Sequence, residues 1–271
     1  MILGSPVRLK LASCMAENSE GFCRARAKYI AVKIGITAEY VDGIPWQERE
    51  RLFDRGEIQL LWICGLPYVQ KADSGVDDTE LLAVPVPVGE RYQHKPVYFS
   101  DVVVRSTSPY RSFLELRGAR WAFNEPLSHS GFNVGRTYLA QFQQTHGFFC
   151  EAVASGAHST SLKWLLAGRV DGTVIDSTVL EWLSSEHSQL STQIRVIQSI
   201  GPSPVPPWVV STKLTAEVRT RLRRLLCEMH QTPMGVSILS RARLERFVPA
   251  VDDNYDPIRR TACQAESVVL A

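Results

Sequence analysis

Asn124-Glu125-Pro126-Leu127-Ser128-His129-Ser130-Gly131 is a polar turn that runs into an apolar-periodic helix bearing Phe132, Val134, Tyr138, Leu139 and Phe142. A helix start presents backbone N–H groups without intrahelical partners and a partial positive charge, and Ser128, His129 and Ser130 add side-chain donors at the same point. Such a turn suits a phosphate-like oxyanion. Taken alone, Ser128 reads first as an ordinary N-cap, the usual role of serine at a helix start. The surrounding pattern has to decide.

Upstream of the turn, Arg120 to Phe123 reads as a strand. Downstream, Phe148 to Ala154 is followed by a second turn, Ser155-Gly156-Ala157-His158, and a helix from Ser159 to Ala167 that Gly168 stops. Val170 to Asp176 is the next strand, Thr178 to Ser184 a helix and Gln193 to Ile200 a strand. The first hundred residues show the same order. Strands at Val7 to Ala12, Ile36 to Val41 and Ile58 to Cys64 alternate with helices at Phe22 to Ile34 and Pro45 to Arg55. Alternating β and α units predict parallel sheets with helices on both faces, and ligands beyond the carboxyl ends of the strands. The loops at Ser13 to Ser19 and Gly65-Leu66-Pro67-Tyr68 fall at such ends.

Leu81 to Val88, rich in Val and Pro, predicts an edge or crossing strand, and Val97 to Arg105 a strand long enough to pass from one lobe to another. Ser112 to Leu116 predicts a brief helix. Gly201-Pro202-Ser203-Pro204-Val205-Pro206-Pro207-Trp208 is too proline-dense for regular structure and reads as a return crossing. A strand at Trp208 to Thr212, helices at Thr215 to His230 and Val236 to Arg246, and a last helix from Asp256 follow. The expected organisation is α/β in two lobes, each a mostly parallel sheet flanked by helices, with a ligand cleft between them. Residues 1–101 and 206–271 form the first lobe and residues 102–205 the second, which carries the anion turn.

The 271 residues are 45% hydrophobic and 21% charged, ordinary for a folded globular chain. With 30 basic and 28 acidic residues the net charge is +2, too balanced for a nucleic-acid footprint, and the arginines of Thr215 to His230 read as a solvated face. No stretch is long and apolar enough to insert in a membrane, and no export signal is visible at Met1 to Arg8. As written the chain reads as cytoplasmic; if it is a cropped piece, periplasmic. Six scattered cysteines form no CxxC pair and give no structural zinc site or disulfide framework, so most read as buried small hydrophobes.

Common nucleotide, metalloprotease and serine-hydrolase signatures are absent. His158, ahead of a helix, could donate to an oxyanion or be a satisfied histidine; His129 could join the cradle or face solvent. Asp176, at a strand end, fits a ligand contact or a helix N-cap equally, and Tyr68 and Tyr98 could donate hydroxyls or merely pack.

Taken in order, Gly65-Leu66-Pro67-Tyr68-Val69, Tyr98-Phe99-Ser100, Ser112-Phe113 with Leu116-Arg117-Gly118, Ser128-His129-Ser130-Gly131, Ser155-Gly156-Ala157-His158 and Val170-Asp171-Gly172 with Ile175-Asp176 resemble the phosphate, phosphite and phosphonate substrate-binding proteins of ABC transporters. The resemblance runs from about Val7 to the final helix. It implies the type II periplasmic-binding-protein fold and lobe closure around a phosphate, phosphite or phosphonate, without catalysis, cofactor or metal, and an ABC permease as partner. It also implies Ser128, His129 and Ser130 as the anion cradle, His158 as a second-lobe donor, Tyr68 and Tyr98 as first-lobe contacts, and Asp176 facing the organic part of the ligand. His129 stands where the family usually has Thr, implying a more cationic cradle or a different anion; Glu125 stands where Asp is common. The rival is an enzyme on the same scaffold, of thiamine-pyrimidine or menaquinone-pathway type, with His158 and Asp176 as an acid–base pair.

Overall fold

Two mixed sheets organise the chain in a computed structural model, which describes residues 8–15, 19–76 and 78–271. Val7, expected to open the first strand, and residues 16–18 of the loop at Ser13 to Ser19 lie outside the described residues. The chain divides into two compact units, one holding the described residues up to Val97 with Val205–Tyr255, the other Tyr98–Pro204 with Asp256–Ala271.

The first unit opens with β1 (Arg8–Ser13), α1 (Glu20–Ile34), β2 (Thr37–Tyr40), α2 (Trp46–Asp54), β3 (Leu60–Trp62), α3 (Gly65–Asp73) and β4 (Thr79–Pro87). The second contains β5 (Val97–Arg105), β6 (Arg120–Phe123), α4 (Val134–Gln141), β7 (Glu151–Ala154), α5 (His158–Leu166), β8 (Gly172–Asp176), α6 (Ser177–Glu186), the short α7 (Leu190–Gln193) and β9 (Ile194–Pro204). The chain returns to the first unit as β10 (Trp208–Ser211), α8 (Ala216–Cys227), α9 (Pro233–Arg241) and β11 (Leu244–Val248), and ends with α10 (Asp256–Ala265) in the second.

In the first sheet the order is β11-β4-β10-β3-β1-β2, with β1 parallel to β2 and β3, and β10 antiparallel to β3 and β4. The second sheet runs β7-β6-β8-β5-β9, with β6 parallel to β7 and β8 while β5 runs antiparallel to β8. Each sheet therefore has a parallel side built from βαβ units, β3-β1-β2 in the first and β7-β6-β8 in the second, and adds antiparallel strands on the other side, where the chain crosses or returns.

The second sheet is covered on both faces. Val102 and Val104 of β5 pack with Trp121, Phe149 and Val174, whereas Val103, between them, packs with Ala122, Ile175, Leu162 and Leu165. A strand buried on both sides reads as a continuous apolar run, which is why Val102-Val103-Val104 lacks alternation. Each such side chain contributes about 1.5–3 kcal/mol relative to exposure. The first unit's core gathers Leu9, Leu11, Tyr29, Ile30, Leu60, Trp208, Leu222, Leu226 and Phe247.

Several expectations are corrected. Gly65 to Tyr68 is not a loop but the first turn of α3. The helix expected over Val236 to Arg246 ends at Arg241, and Leu244–Val248 is a strand: Arg243 takes a left-handed φ of 56°, and Phe247 turns inward against the core. Pro202 and Pro204 do lie in a strand, β9, because it forms the sheet edge, where missing donors are tolerated. β4 is neither edge nor fully central; it pairs with β10 over Thr79 to Ala83 and with β11 over Val84 to Pro87, so its prolines lie beyond the end of β10.

The crossings fall between residues 97 and 98 and between 204 and 205, and the tail expected in the first lobe belongs to the second unit. Thr137 donates from Oγ1 to the Thr261 carbonyl (2.8 Å), Arg136 Nε donates to the Val268 carbonyl (2.8 Å), and Phe149 N–H donates to the Leu270 carbonyl (2.9 Å). Val268 and Leu270 complete the apolar cluster around Phe113 and Trp121. Of the six cysteines, all free, only Cys23 is fully buried, and Cys150 and Cys263 are exposed.

Candidate functional site

Parallel pairing of β6 with β7 places Phe123 beside Ala154, so the turns that leave these two strands lie side by side. Ser155 N–H donates to the Phe123 carbonyl (2.8 Å) and Gly156 N–H to the Asn124 carbonyl (2.9 Å), tying the turns together. Asn124 to Gly131 and Ser155 to His158 thus converge at the carboxyl edge of the second sheet, where parallel sheets hold ligands.

The first turn begins as a single π-helical turn, His129–Asn133, before α4. Such π turns recur at functional sites. Ser128 is its N-cap, with Oγ accepting from Gly131 N–H at 3.0 Å. Ser128 Oγ and Ser130 Oγ lie 3.4 Å apart, and Ser130 Oγ lies 3.2 Å from His158 Nε2. Asn124 Nδ2 reaches the same Nε2 at 3.4 Å. Ser128, Ser130 and His158 are all buried.

Gly131 is required by its neighbours rather than by its φ. A Cβ there would lie 1.8 Å from Asn124 Oδ1 and 3.1 Å from His158 Cε1. Asn124 Oδ1 and His158 Nδ1 are buried without a hydrogen-bond partner among the described residues.

His129 is 1% exposed, so it does not face solvent; its Nε2 lies 3.2 Å from Ser203 Oγ of β9. Burial pushes its pKa down to about 4, and burial does the same to His158, also to about 4 against a smaller opposing pull from the Val174 carbonyl. Both rings are neutral at pH 7. The more cationic cradle implied by His129 is therefore not formed: hydroxyls, amides and neutral imidazoles line the turn, and the helix start supplies the positive potential.

The remaining sequence-derived candidates lie elsewhere or are engaged. Asp176 caps α6, accepting from Thr178 N–H (2.8 Å) and Thr178 Oγ1 (2.7 Å). Burial raises its pKa to about 6, with the nearby Asp101 charge a minor contributor. Tyr98, expected among first-lobe contacts, is carried by β5 of the second sheet and is buried. Tyr68 does belong to the first unit, where its hydroxyl donates to Asp252 Oδ1 at 2.6 Å and its ring meets Tyr255 edge-on at 4.7 Å. Asn124 and Ser203, which contact His158 and His129, are not among the side chains named from the sequence. Asn124 had a legible signal, standing at the junction of strand and turn; Ser203 sits in a proline-rich stretch with nothing to mark it.

No cluster of His, Cys, Asp and Glu suited to a metal ion occurs among the described residues, and no helix among them is long and apolar enough to cross a membrane.

The fold resembles that of several solved proteins. A phosphonate ABC transporter binding protein from Pseudomonas aeruginosa superposes with a TM-score of 0.84 at 16% identity, covering 97% of this chain and 87% of that one. PhnD1 from Prochlorococcus marinus, solved in complex with methylphosphonate, gives 0.84 at 17% identity over 97% and 100%. A protein from Xanthomonas citri solved with ATP gives 0.74 at 15% identity over 96% and 97%. The sequence model of the periplasmic substrate-binding proteins of phosphonate ABC transporters matches residues 22–255. With parallel strands on one side of each sheet, an N-capped turn at the carboxyl edge of the second and that match over most of its length, the chain belongs to the phosphonate ABC transporter substrate-binding protein family.

Proposed function

We propose that this protein is a non-enzymatic solute receptor whose Ser128 to Gly131 turn holds a phosphorus oxyanion of phosphate, phosphite or phosphonate type. One observation carries the proposal: the absence of a Cβ at Gly131 lets Asn124 and His158 close on the turn, gathering Ser128, Ser130 and His158 within hydrogen-bond reach of one another. Methylphosphonate, named with the Prochlorococcus relative, is the natural first probe. The other side chains named from the sequence, Tyr68, Tyr98, His129 and Asp176, take supporting places in the proposal. His129 braces the turn through Ser203 and Asp176 braces α6. Closure of the two units on the anion and delivery to an ABC permease in the periplasm complete the reading.

The enzyme alternative has no support in this geometry. His158 engages Asn124 and Ser130 while Asp176 engages Thr178, and among the described residues the two do not hydrogen-bond to each other.

Calorimetric titration with methylphosphonate tests the cradle. Ser130→Ala is expected to weaken binding at least about tenfold without loss of stability, since hydrogen bonds to a charged group contribute about 1.5–3 kcal/mol. Ser128→Ala is expected to weaken binding similarly and to cost about 1 kcal/mol of stability as a lost cap. Unchanged affinity in both variants would sink the assignment.

A further inference from the structure

Phe22, Cys23, Tyr29 and Ile30 recur at helical spacing along the buried face of α1, and Arg26 stands among them. It is a cation where the pattern calls for an apolar side chain. The residue is 0% exposed, and its guanidinium lies 3.5 Å from the Trp208 ring centroid and 4.9 Å from that of Phe247. Nε, Nη1 and Nη2 have no hydrogen-bond partner among the described residues. Neither has the buried Nε1 of Trp208, in the ring that the guanidinium overlies. The titratable neighbour that acts on Arg26 is Cys23, and burial pushes that thiol up to about 12, so it is neutral at pH 7 and supplies no counter-charge.

The cluster is made of donors alone, because a guanidinium and an indole N–H donate and cannot accept. Buried polar groups in folded proteins are almost always partnered, and a buried charge without a partner costs more than contact with a ring face returns. Water would satisfy some of the donors and leave the charge standing. An anion answers both.

We infer that Arg26 and the Nε1 of Trp208 form a binding site for a small monovalent anion of halide type in the core of the first unit, apart from the Ser128 to Gly131 turn of the second. The inference does not depend on the oxyanion reading. One cation calls for one negative charge, and the close packing of Trp208, Phe247 and Cys23 calls for a small ion. Entry into such surroundings strips the ion of water, so a weakly hydrated halide loses less than a strongly hydrated one. Bromide and chloride should therefore bind better than fluoride. The bound ion would stabilise the packing of α1 against β10 and β11, which carry Trp208 and Phe247.

The experiment is crystallography of the intact protein in sodium bromide, whose anomalous scattering marks the ion. It is paired with melting temperatures of the wild type and Arg26→Met in sodium fluoride, chloride and bromide at equal ionic strength. Arg26→Met removes the cation and leaves the turn untouched, so halide held at the turn would affect both proteins alike. General salt effects also cancel in the comparison. The expected result is a bromide peak within hydrogen-bond reach of the guanidinium. On passing from fluoride to bromide, the wild type is expected to gain about 2–4 °C relative to Arg26→Met. A map with only water beside Arg26, or a response to halide that Arg26→Met shares in full, would overturn the inference and leave the oxyanion reading standing. So would bromide density without that gain, which would mark an adventitious ion only. If Arg26→Met does not fold, the bromide map of the wild type decides.

Discussion

Asn124 Oδ1 occupies the space in which a side chain on residue 131 would begin, 1.8 Å from the position of a Cβ on Gly131. The floor of the turn is thus an amide packed against bare backbone. Gly131→Ala must displace Asn124, which undoes the contact to His158 and spreads the cradle. The expected cost is about 1–3 kcal/mol of stability, typical of overpacking, with loss of most methylphosphonate affinity. Urea unfolding and calorimetric titration measure the two effects. Full affinity in a normally folded Gly131→Ala protein would show that the close approach does not matter.

Stability should fall as the solution is acidified, and the sign follows from the buried histidines. His129 and His158 are neutral in the fold down to about pH 4, whereas the unfolded chain takes up protons from about pH 6.5 downward. Their contribution is complete above that value and lost as pH falls toward 4, amounting to about 3 kcal/mol each. Asp176 works in the opposite sense: its raised pKa of about 6 makes the folded form bind a proton first, which stabilises the fold between about pH 6 and the ordinary carboxyl range. Two histidines outweigh one carboxyl. The urea midpoint is expected to be lower at pH 4.5 than at pH 7, and His129→Gln should shrink the difference. A wild-type midpoint that does not move over this range would contradict the buried neutral state.

Arg26 of α1 is fully buried, its three nitrogens have no hydrogen-bond partner among the described residues, and its guanidinium lies 3.5 Å from the Trp208 ring centroid and 4.9 Å from that of Phe247. Burial lowers its pKa to about 9. Cation–π attraction of about 2 kcal/mol offsets only part of the cost of burying a charge. Arg26→Met should therefore be at least as stable as the wild type, and Arg26→Ala, which leaves a cavity, less stable by about 2–5 kcal/mol. Denaturant midpoints distinguish them; a strongly destabilised Arg26→Met protein would mean that the guanidinium makes an essential polar contact.

Thr215 caps α8 by accepting from Val218 N–H at 3.4 Å and is otherwise exposed. Thr215→Ala should cost about 1 kcal/mol in urea unfolding and leave methylphosphonate affinity unchanged. A change in affinity would tie this helix to the site.

Much of the fold was legible because its signals are local. Gly35 and Gly168 end α1 and α5 with left-handed φ values of 74° and 73°, where the glycines predicted the stops. Arg120 to Phe123 was read to the residue, since a short apolar run is closed by the polar turn that follows it. What failed was non-local. The final helix was assigned to the wrong unit because nothing within Asp256 to Ala271 announces that Val268 and Leu270 fill a gap beside Phe113 and Trp121. The strand at Leu244 to Val248 was hidden inside a helix-like pattern, and only the packing of Phe247 fixes it. Turn chemistry named Ser128, Ser130 and His158, and the structure brings the three together. The neutrality of His129 and the part played by Asn124 depend on burial and on the approach of two separate turns, which no single stretch encodes.

The central claim is that the Ser128 to Gly131 turn serves a phosphorus oxyanion, and a thermal-shift panel tests it most directly. The panel comprises phosphate, phosphite, methylphosphonate, 2-aminoethylphosphonate and sulfate, each applied to the wild type and to Ser130→Ala. A ligand that binds only the folded state must raise the melting temperature by mass action. The account predicts a selective rise with at least one phosphorus oxyanion, none with sulfate, and loss of that rise in Ser130→Ala. A melting temperature that no phosphorus oxyanion moves, or a rise that Ser130→Ala retains in full, would contradict it.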